Sequence, residues 1–553
     1  MSKNRNIQAR SGAAGPRSHR IPWLRAALAA LSGLVAAFAS LAVAELVAVA
    51  VRPQASPITA VGGAVIDRTP LAVKDFAVRH FGTNDKAVLQ LGILALLAGF
   101  ALVVGLVALR WRRVGAAGVL AFGLLGAVAA ASRPDASGLD WIPSAVGAVV
   151  GAAVLYVLVG RLALRTGPDV GIAAAGGDQG GAEGGTAPHG AFDRRGFVAL
   201  ALAASAVSAG AGALGRRLNA ASGDHAVAER AAVTIPAPSS TAAALPRGVD
   251  LRIPGLSVFT TPNPSFYRVD TALVVPKIDA TGWRLRIHGR GVTKELDLGY
   301  RDLLARPLIE RDITLTCVSN EVGGPYLGNA RWIGVPLAPL LREAGVRPPS
   351  QGGPADQLLA RSVDGMMIGS PVETVMDGRD AMLVVGMNGE PLPFAHGFPV
   401  RMLVPGLYGY VSACKWLRDL ELTGFADFDA YWVRRGWSRQ APIKTESRVD
   451  TPKPFAQLSA GTVQVAGVAW AQHTGIDRVE VRVDGGPWQT ADLAAQDTVD
   501  TWRQWVWQWP AGPGSHRIEV RATDRSGYTQ TDARVGTVPN GATGWHSVVV
   551  NVG

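Results

Sequence analysis

Cysteine is nearly missing: of 553 residues only Cys317 and Cys414 carry a thiol, too few for a disulfide framework and enough for one bridge at most. No Cys-x-x-Cys-His segment occurs, which argues against covalently attached haem c. The nine histidines all fall outside the long apolar runs, so no helix there offers the paired imidazoles of a membrane haem b. Charge is also scarce, at 18% of residues against 48% hydrophobic. The formal charge of +11 is not gathered into Lys/Arg runs interleaved with aromatics in the C-terminal half, which argues against a nucleic-acid partner. The chain is too long for a single core, and three or four units are expected.

What is abundant is apolar length before residue 215. Five stretches, 26–51, 87–109, 114–131, 142–159 and 197–214, approach or reach the ~20 residues needed to cross a bilayer as helices. Lys3, Arg5, Arg10, Arg17, Arg20 and Arg25 precede the first. Arg110, Arg112 and Arg113 separate the second from the third, and Arg161, Arg165, Arg194 and Arg195 separate the fourth from the fifth. These clusters share one side if the N-terminus is cytoplasmic, and five spans then put everything after residue 214 outside the cytoplasm. Arg216 and Arg217 pull the other way. The expectation is a multi-pass cell-membrane protein, in contact with lipid, with its C-terminal half extracytoplasmic.

Two features of this half admit two readings. Asp193-Arg194-Arg195-Gly196-Phe197-Val198 before an Ala-rich run is either a twin-arginine export signal placed internally or ordinary positive-inside flanking. Glu45, the one acid inside a span, either serves a proton or quinone site or snorkels to the interface. Residues 167–190 are Gly-rich and read as a flexible linker, and 218–248, rich in Ala, Ser, Thr and Pro, as an extended tether.

Beyond the tether the pattern becomes short apolar runs broken by Gly and Pro. Residues 283–289 and 313–317 read as strands and 336–344 as a short helix. From about residue 428, runs at 462–470, 477–483, 502–509 and 516–522 alternate between turn signals and predict an all-β sandwich. Trp505, Trp507 and Trp509 share one strand face and suit its core.

Three segments carry chemistry. In 314–336, TLTCVSNEVGGPYLGNARWIGVP, a strand delivers Cys317 to a Gly-rich loop, where a thiolate can ligate a soft metal. Before it lies 261–276, TPNPSFYRVDTALVVP. After it lies 387–417, MNGEPLPFAHGFPVRMLVPGLYGYVSACKWL. In this order they resemble the sulfite oxidase family, over roughly residues 262–553. The resemblance implies an α+β molybdopterin domain at 249–427 and an immunoglobulin-like dimerisation module at 428–553, following a membrane helical bundle at 1–217.

It also implies roles. Cys317 would ligate molybdenum beside the pterin, and Arg268, against the pterin, would orient an anionic substrate oxygen, the other reading of Arg268 being a surface ion pair with Asp270. Phe266, Tyr267, His396, Arg401, Ser412 and Lys415 would hold the cofactor, with Cys414 in the core. Since that cofactor is inserted in the cytoplasm, export of an already folded domain would suit the twin-arginine reading. The family's sulfite oxidases carry arginines where this chain has Glu321 and Val322, a tyrosine where it has Met366, and a further arginine where it has His473-Thr474-Gly475. The missing groups are those that bind a small dianion, so either a small oxyanion or a less charged sulfoxide or N-oxide fits the expectation of oxygen-atom transfer. Electrons would pass to or from a quinone or a cytochrome, and the C-terminal module would form a homodimer. A non-catalytic membrane-anchored binding protein is the alternative of another class.

Overall fold

The computed structural model describes residues 21–70, 85–133, 136–163 and 194–553, with the isolated positions 73, 76 and 80. Lys3, Arg5, Arg10, Arg17, Arg20, Arg165, Asp193 and the 167–190 segment lie outside the described residues. The chain divides into two compact units, Met1–Asn219 and Ala220–Gly553.

Among the described residues of the first region the helices are α1 (Ile21–Val51), α2 (Pro57–Arg68), α3 (Asp85–Arg110), α4 (Arg112–Ala131), α5 (Ile142–Ala163) and α6 (Arg194–Ala232). All but α2 are long and apolar enough to cross a membrane, matching the five expected runs. Small residues set their packing. A Cβ on Gly33 would lie 1.9 Å from the Ala101 carbonyl oxygen, and one on Gly105 would lie 2.2 Å from that of Ala29, so α1 and α3 touch backbone to backbone. Gly147 of α5 meets the Ser40 carbonyl in the same way, at 2.5 Å. Close approach of this kind drives helix association in lipid, where hydrophobic exclusion does not. Helix α2 was not expected; Ser56 precedes it and donates to Glu45 Oε1 at 2.5 Å.

The expected tether is ordered. Residues 220–232 complete α6, and Arg230 donates to the Leu392 carbonyl at 2.7 Å and pairs with Glu390 at 3.0 Å. The extended stretch that follows lies along the next domain, with Ser239 N bonded to Leu308 O and Glu310 N to Ser240 O, both at 2.8 Å.

Ten strands build the next part: β1 (Arg284–Gly289), β2 (Leu296–Gly299), β3 (Ile309–Thr316), β4 (Leu327–Pro336), β5 (Gln357–Ser362), β6 (Met367–Pro371), β7 (Met382–Met387), β8 (Glu390–Pro391), β9 (Arg401–Leu403) and β10 (Leu417–Thr423). One sheet runs β2-β1-β10-β5-β6 and the other β3-β4-β7-β8, with β9 also paired to β7. Strand β7, MLVVGM, is buried at every position, as a central strand covered on both faces must be. Trp332 is fully buried in the neighbouring strand β4 and donates to the Ile313 carbonyl at 3.0 Å.

Nine further strands follow: β11 (Glu446–Thr451), β12 (Gln457–Leu458), β13 (Gly461–Trp470), β14 (Ile476–Val483), β15 (Gln489–Thr490), β16 (Asp492–Leu493), β17 (Arg503–Ala511), β18 (Gly514–Asp524) and β19 (His546–Val552). They form two sheets, β11-β13-β17-β16 and β12-β19-β18-β14-β15. Val465, Trp505 and Trp509 of one sheet share a core with Val481, Ile518 and Val550 of the other, and Trp507 packs at its edge. Trp437 and Ala441 are buried with the preceding domain's core, so the chain leaves that domain well after the boundary expected at residue 427.

Candidate active site

Strand β3 ends at Thr316, and the loop after it is closed on itself. Cys317 N donates to Tyr326 O at 2.9 Å, Asn320 N to Cys317 O at 3.0 Å, and Tyr326 N to the Asn320 side-chain oxygen at 2.8 Å. Gly323 has φ +79°, and a Cβ on it would strike the His546 ring at 2.2 Å, so only glycine serves there. This fixes the Cys317 Sγ at the wall of a cavity of about 150 Å³, 2.9 Å from Ser319 Oγ. Burial pushes the thiol pKa up, while the Ser319 hydroxyl and amide and the charge of Lys415 favour the thiolate.

The 387–417 segment supplies the facing wall. Residues 397–402 run beside 414–417, with Met402 N bonded to Cys414 O and Leu417 N to Val400 O, both at 2.9 Å. The pairing sets Arg401 and Lys415 side by side on the cavity. At Gly397 (φ +115°) a Cβ would come within 3.1 Å of the Lys415 Cα, which explains the glycine after His396.

The charges here are unequally compensated. Arg401 is 6% exposed, and its Nε has no hydrogen-bond partner. Its guanidinium lies 5.4 Å from the Trp332 ring centre, and Nη1 reaches the His396 carbonyl at 3.5 Å. Burial lowers its pKa. Lys415 Nζ pairs with Asp270 at 2.7 Å, and burial, only partly opposed by Asp270, brings its pKa down to about 8. His396 donates from Nε2 to the Asn263 carbonyl at 3.1 Å; burial and then Arg401 push its pKa down to about 4, so the ring is neutral.

Of the residues expected in the site, Cys317, Tyr267, His396, Arg401 and Lys415 line the cavity. Phe266 does not; it is buried behind them, 5.2 Å from the Tyr267 ring and 5.5 Å from that of His396. Ser412 is also behind the wall, where its hydroxyl donates to the carbonyls of Leu407 at 2.9 Å and Tyr408 at 3.1 Å and so holds a turn. Arg268, expected to face the substrate, is not among the lining residues. It bonds Asp270 at 2.7 Å, because a carboxylate two residues along lies within easier reach.

Other lining residues were not expected. Asp270, with a side chain only 5% exposed, joins Arg268 to Lys415. Cys414 is buried as expected but also borders the cavity, and Trp432 and Trp437 close it from beyond residue 427. Asp270 lay within a quoted motif and two positions from Arg268, a spacing that signals a local ion pair. Nothing local marks the tryptophans. Met366 does line the cavity, whereas Glu321 is exposed and apart from it.

Residues 272–432 match the family described as oxidoreductase molybdopterin binding domain. Mitochondrial sulfite oxidase of Mus musculus is 30% identical over 344 residues, 53% of this chain and 62% of that protein. Sulfite oxidase of Gallus gallus is 31% identical over 322 residues, 50% of this chain and 69% of that protein. Among solved structures, the sulfane dehydrogenase SoxCD from Paracoccus pantotrophus is similar at 26% identity and a TM-score of 0.46, covering 54% of this chain and 84% of that one. The chain therefore spans less than two thirds of the length of the mouse protein.

The donor set fits a molybdopterin: a thiol for the metal, and a buried guanidinium with an unpaired nitrogen for an anionic group. The chain belongs to the sulfite oxidase family and is a molybdenum-cofactor oxidoreductase.

Proposed function

We propose that this member of the sulfite oxidase family is anchored in the membrane by its five apolar helices and transfers an oxygen atom at an extracytoplasmic site built on Cys317. The observation that carries the reading is the meeting of the Cys317 thiol with the unpaired Arg401 guanidinium on one cavity. When bound, the cofactor supplies the two-electron chemistry. Cys317 would hold its metal, and Ser319 would stabilise the thiolate through the 2.9 Å contact. Arg401 would take an anionic group on the cofactor, with Lys415 joining as Asp270 releases it. Neutral His396 and Tyr267, stacked on Phe266, would orient the ring system.

Arg268 would reach a substrate oxygen only by leaving Asp270, so it belongs to the rim in this reading. The twin-arginine pair Arg194-Arg195 would export the folded domain, and the two C-terminal sheets would serve as the immunoglobulin-like dimerisation module. Electrons would pass through a membrane quinone or a cytochrome.

The substrate class follows from what lines the cavity. Met366, Ile368, Trp432 and Trp437 give it apolar walls, and Asp270 and Asp364 bring negative charge. A dianion entering such a space lacks the donors that desolvation demands. A sulfoxide or N-oxide meets no such penalty, and these walls favour reduction of an uncharged oxygen donor. Steady-state assays with sulfite and with methionine sulfoxide decide it: the higher kcat/KM is expected for methionine sulfoxide, and preferred turnover of sulfite would overturn this assignment. Cys317→Ser is expected to lower turnover at least ~100-fold, with the thermal midpoint changed little.

A further inference from the structure

Within the membrane helices lies a second cavity, of about 100 Å³, that the oxygen-transfer chemistry does not use. Small side chains create it: Gly33, Ala37, Ser40 and Ala44 on α1 face Gly123 and Gly126 on α4. Phe100 and Phe122 flank it, with ring centres 5.0 Å apart, and Phe100 is 40% exposed, so it reaches from the cavity to the surface of the helices. The walls are otherwise aliphatic, including Ile58 and Val61 of α2.

Two hydroxyl side chains, Ser40 of α1 and Ser144 of α5, break the apolar lining, and Ser144 is the one whose oxygen is buried without a partner. Ser144 of α5 lines the cavity at 4% exposure, and its Oγ has no hydrogen-bond partner. Gly126 makes room for it, since a Cβ there would sit 3.0 Å from that oxygen. A buried hydroxyl without a partner is costly, more so among helices surrounded by lipid. Near the cavity stands the Glu45–Ser56 pair at 2.5 Å, each member adjacent in sequence to a lining residue, Ala44 and Pro57.

The geometry points to a binding site for the ring of a membrane quinone. A flat six-membered ring suits walls that include two phenyl groups, its carbonyl oxygen accepts from Ser144, and its isoprenoid tail leaves past Phe100 into lipid. An acyl chain alone would fill the space and leave the hydroxyl unsatisfied. The role of the quinone as electron partner rests on the oxygen-transfer reading. In the reductive direction a hydroquinone gives up two electrons and two protons to become quinone, and the sulfoxide oxygen leaves as water with both protons.

Binding is tested apart from turnover. The full chain in detergent, loaded with its cofactor, is titrated with decylubiquinone by calorimetry. Saturable binding near one per chain is expected, weakened at least ~10-fold by Ala37→Phe, which fills the cavity. Ser144→Ala keeps the volume and removes only the hydroxyl, and is expected to weaken binding about fivefold. Both variants should keep the molybdenum content of the parent. Equal affinity in parent and both variants, or a tightly held phospholipid that decylubiquinone does not displace, would overturn the site. If binding behaves as expected while methionine sulfoxide is not turned over, the site stands and the oxygen-transfer reading fails.

Discussion

Arg401 in the cofactor domain and Arg448 at the start of the C-terminal sheets are both buried, at 6% and 9% exposure, yet their surroundings differ sharply. Arg448 is satisfied on every side: it bonds Asp450 at 2.6 Å, the Gly324 carbonyl at 2.7 Å and Ser257 Oγ at 3.0 Å. Arg401 keeps an unpaired Nε, and what it has instead is a 3.5 Å contact to a carbonyl and the Trp332 ring centre at 5.4 Å. A buried charge is tolerated when paired and hydrogen-bonded, so Arg448 belongs to the architecture. Arg401 faces a cavity beside a thiol, and its unmet donor is open to a ligand there. On the proposed reading, the difference separates a residue that holds the fold from one that would hold the cofactor.

The largest effect on folding should come from the satisfied arginine. Arg448→Met strands the Asp450 carboxylate in the interior and is expected to cost about 3–5 kcal/mol, read from denaturant unfolding of the detergent-solubilised protein. A loss below ~1 kcal/mol would erase the contrast.

Glu446, one strand position from Ser447 and close to Lys444, sharpens it from the other side. Its carboxyl is buried with one oxygen unpaired, and burial pushes its pKa up to about 8 from 4.5. The folded state therefore holds a proton that the unfolded chain releases between these values. Its contribution is complete below the lower pKa and is lost as pH rises through about 8. Stability should fall across that window by up to a few kcal/mol, and Glu446→Gln should flatten the slope. An unchanged slope in the variant would place the titration elsewhere.

Smaller still is the effect of restoring a donor to the apolar wall. Met366→Tyr introduces a phenol on the cavity, and is expected to raise kcat/KM for sulfite relative to methionine sulfoxide by about tenfold. No change in the ratio would show that Met366 does not set the substrate class.

The sequence made some of this readable and hid the rest for physical reasons. The five apolar helices follow from run length alone. Cys317, Arg401 and Lys415 were identifiable because each sits in a motif whose local backbone, the closed 317–326 loop and the paired 397–402 and 414–417 segments, fixes it on the cavity. Phe266 and Ser412 share those motifs but support the wall from behind, a distinction of side-chain direction that spacing does not carry. Trp432 and Trp437 reach the cavity from beyond the expected boundary, and only the folded domain brings them there. The 218–248 stretch was read as a tether from its composition. It is ordered through Arg230 and the Ser239–Ser240 backbone, whose partners, Glu390, Leu392, Leu308 and Glu310, are far away in sequence.

The most direct test is the molybdenum and pterin content of Arg401→Met beside the parent, both purified after full cofactor supply. Removing an uncompensated buried charge should leave unfolding stability of the cofactor-free protein within about 1 kcal/mol of the parent or raise it. Cofactor content should nevertheless fall to roughly a tenth or less, since the guanidinium's charge-assisted bonds are lost. A variant that retains the parent's full molybdenum and pterin would contradict the assignment of Arg401 to the cofactor.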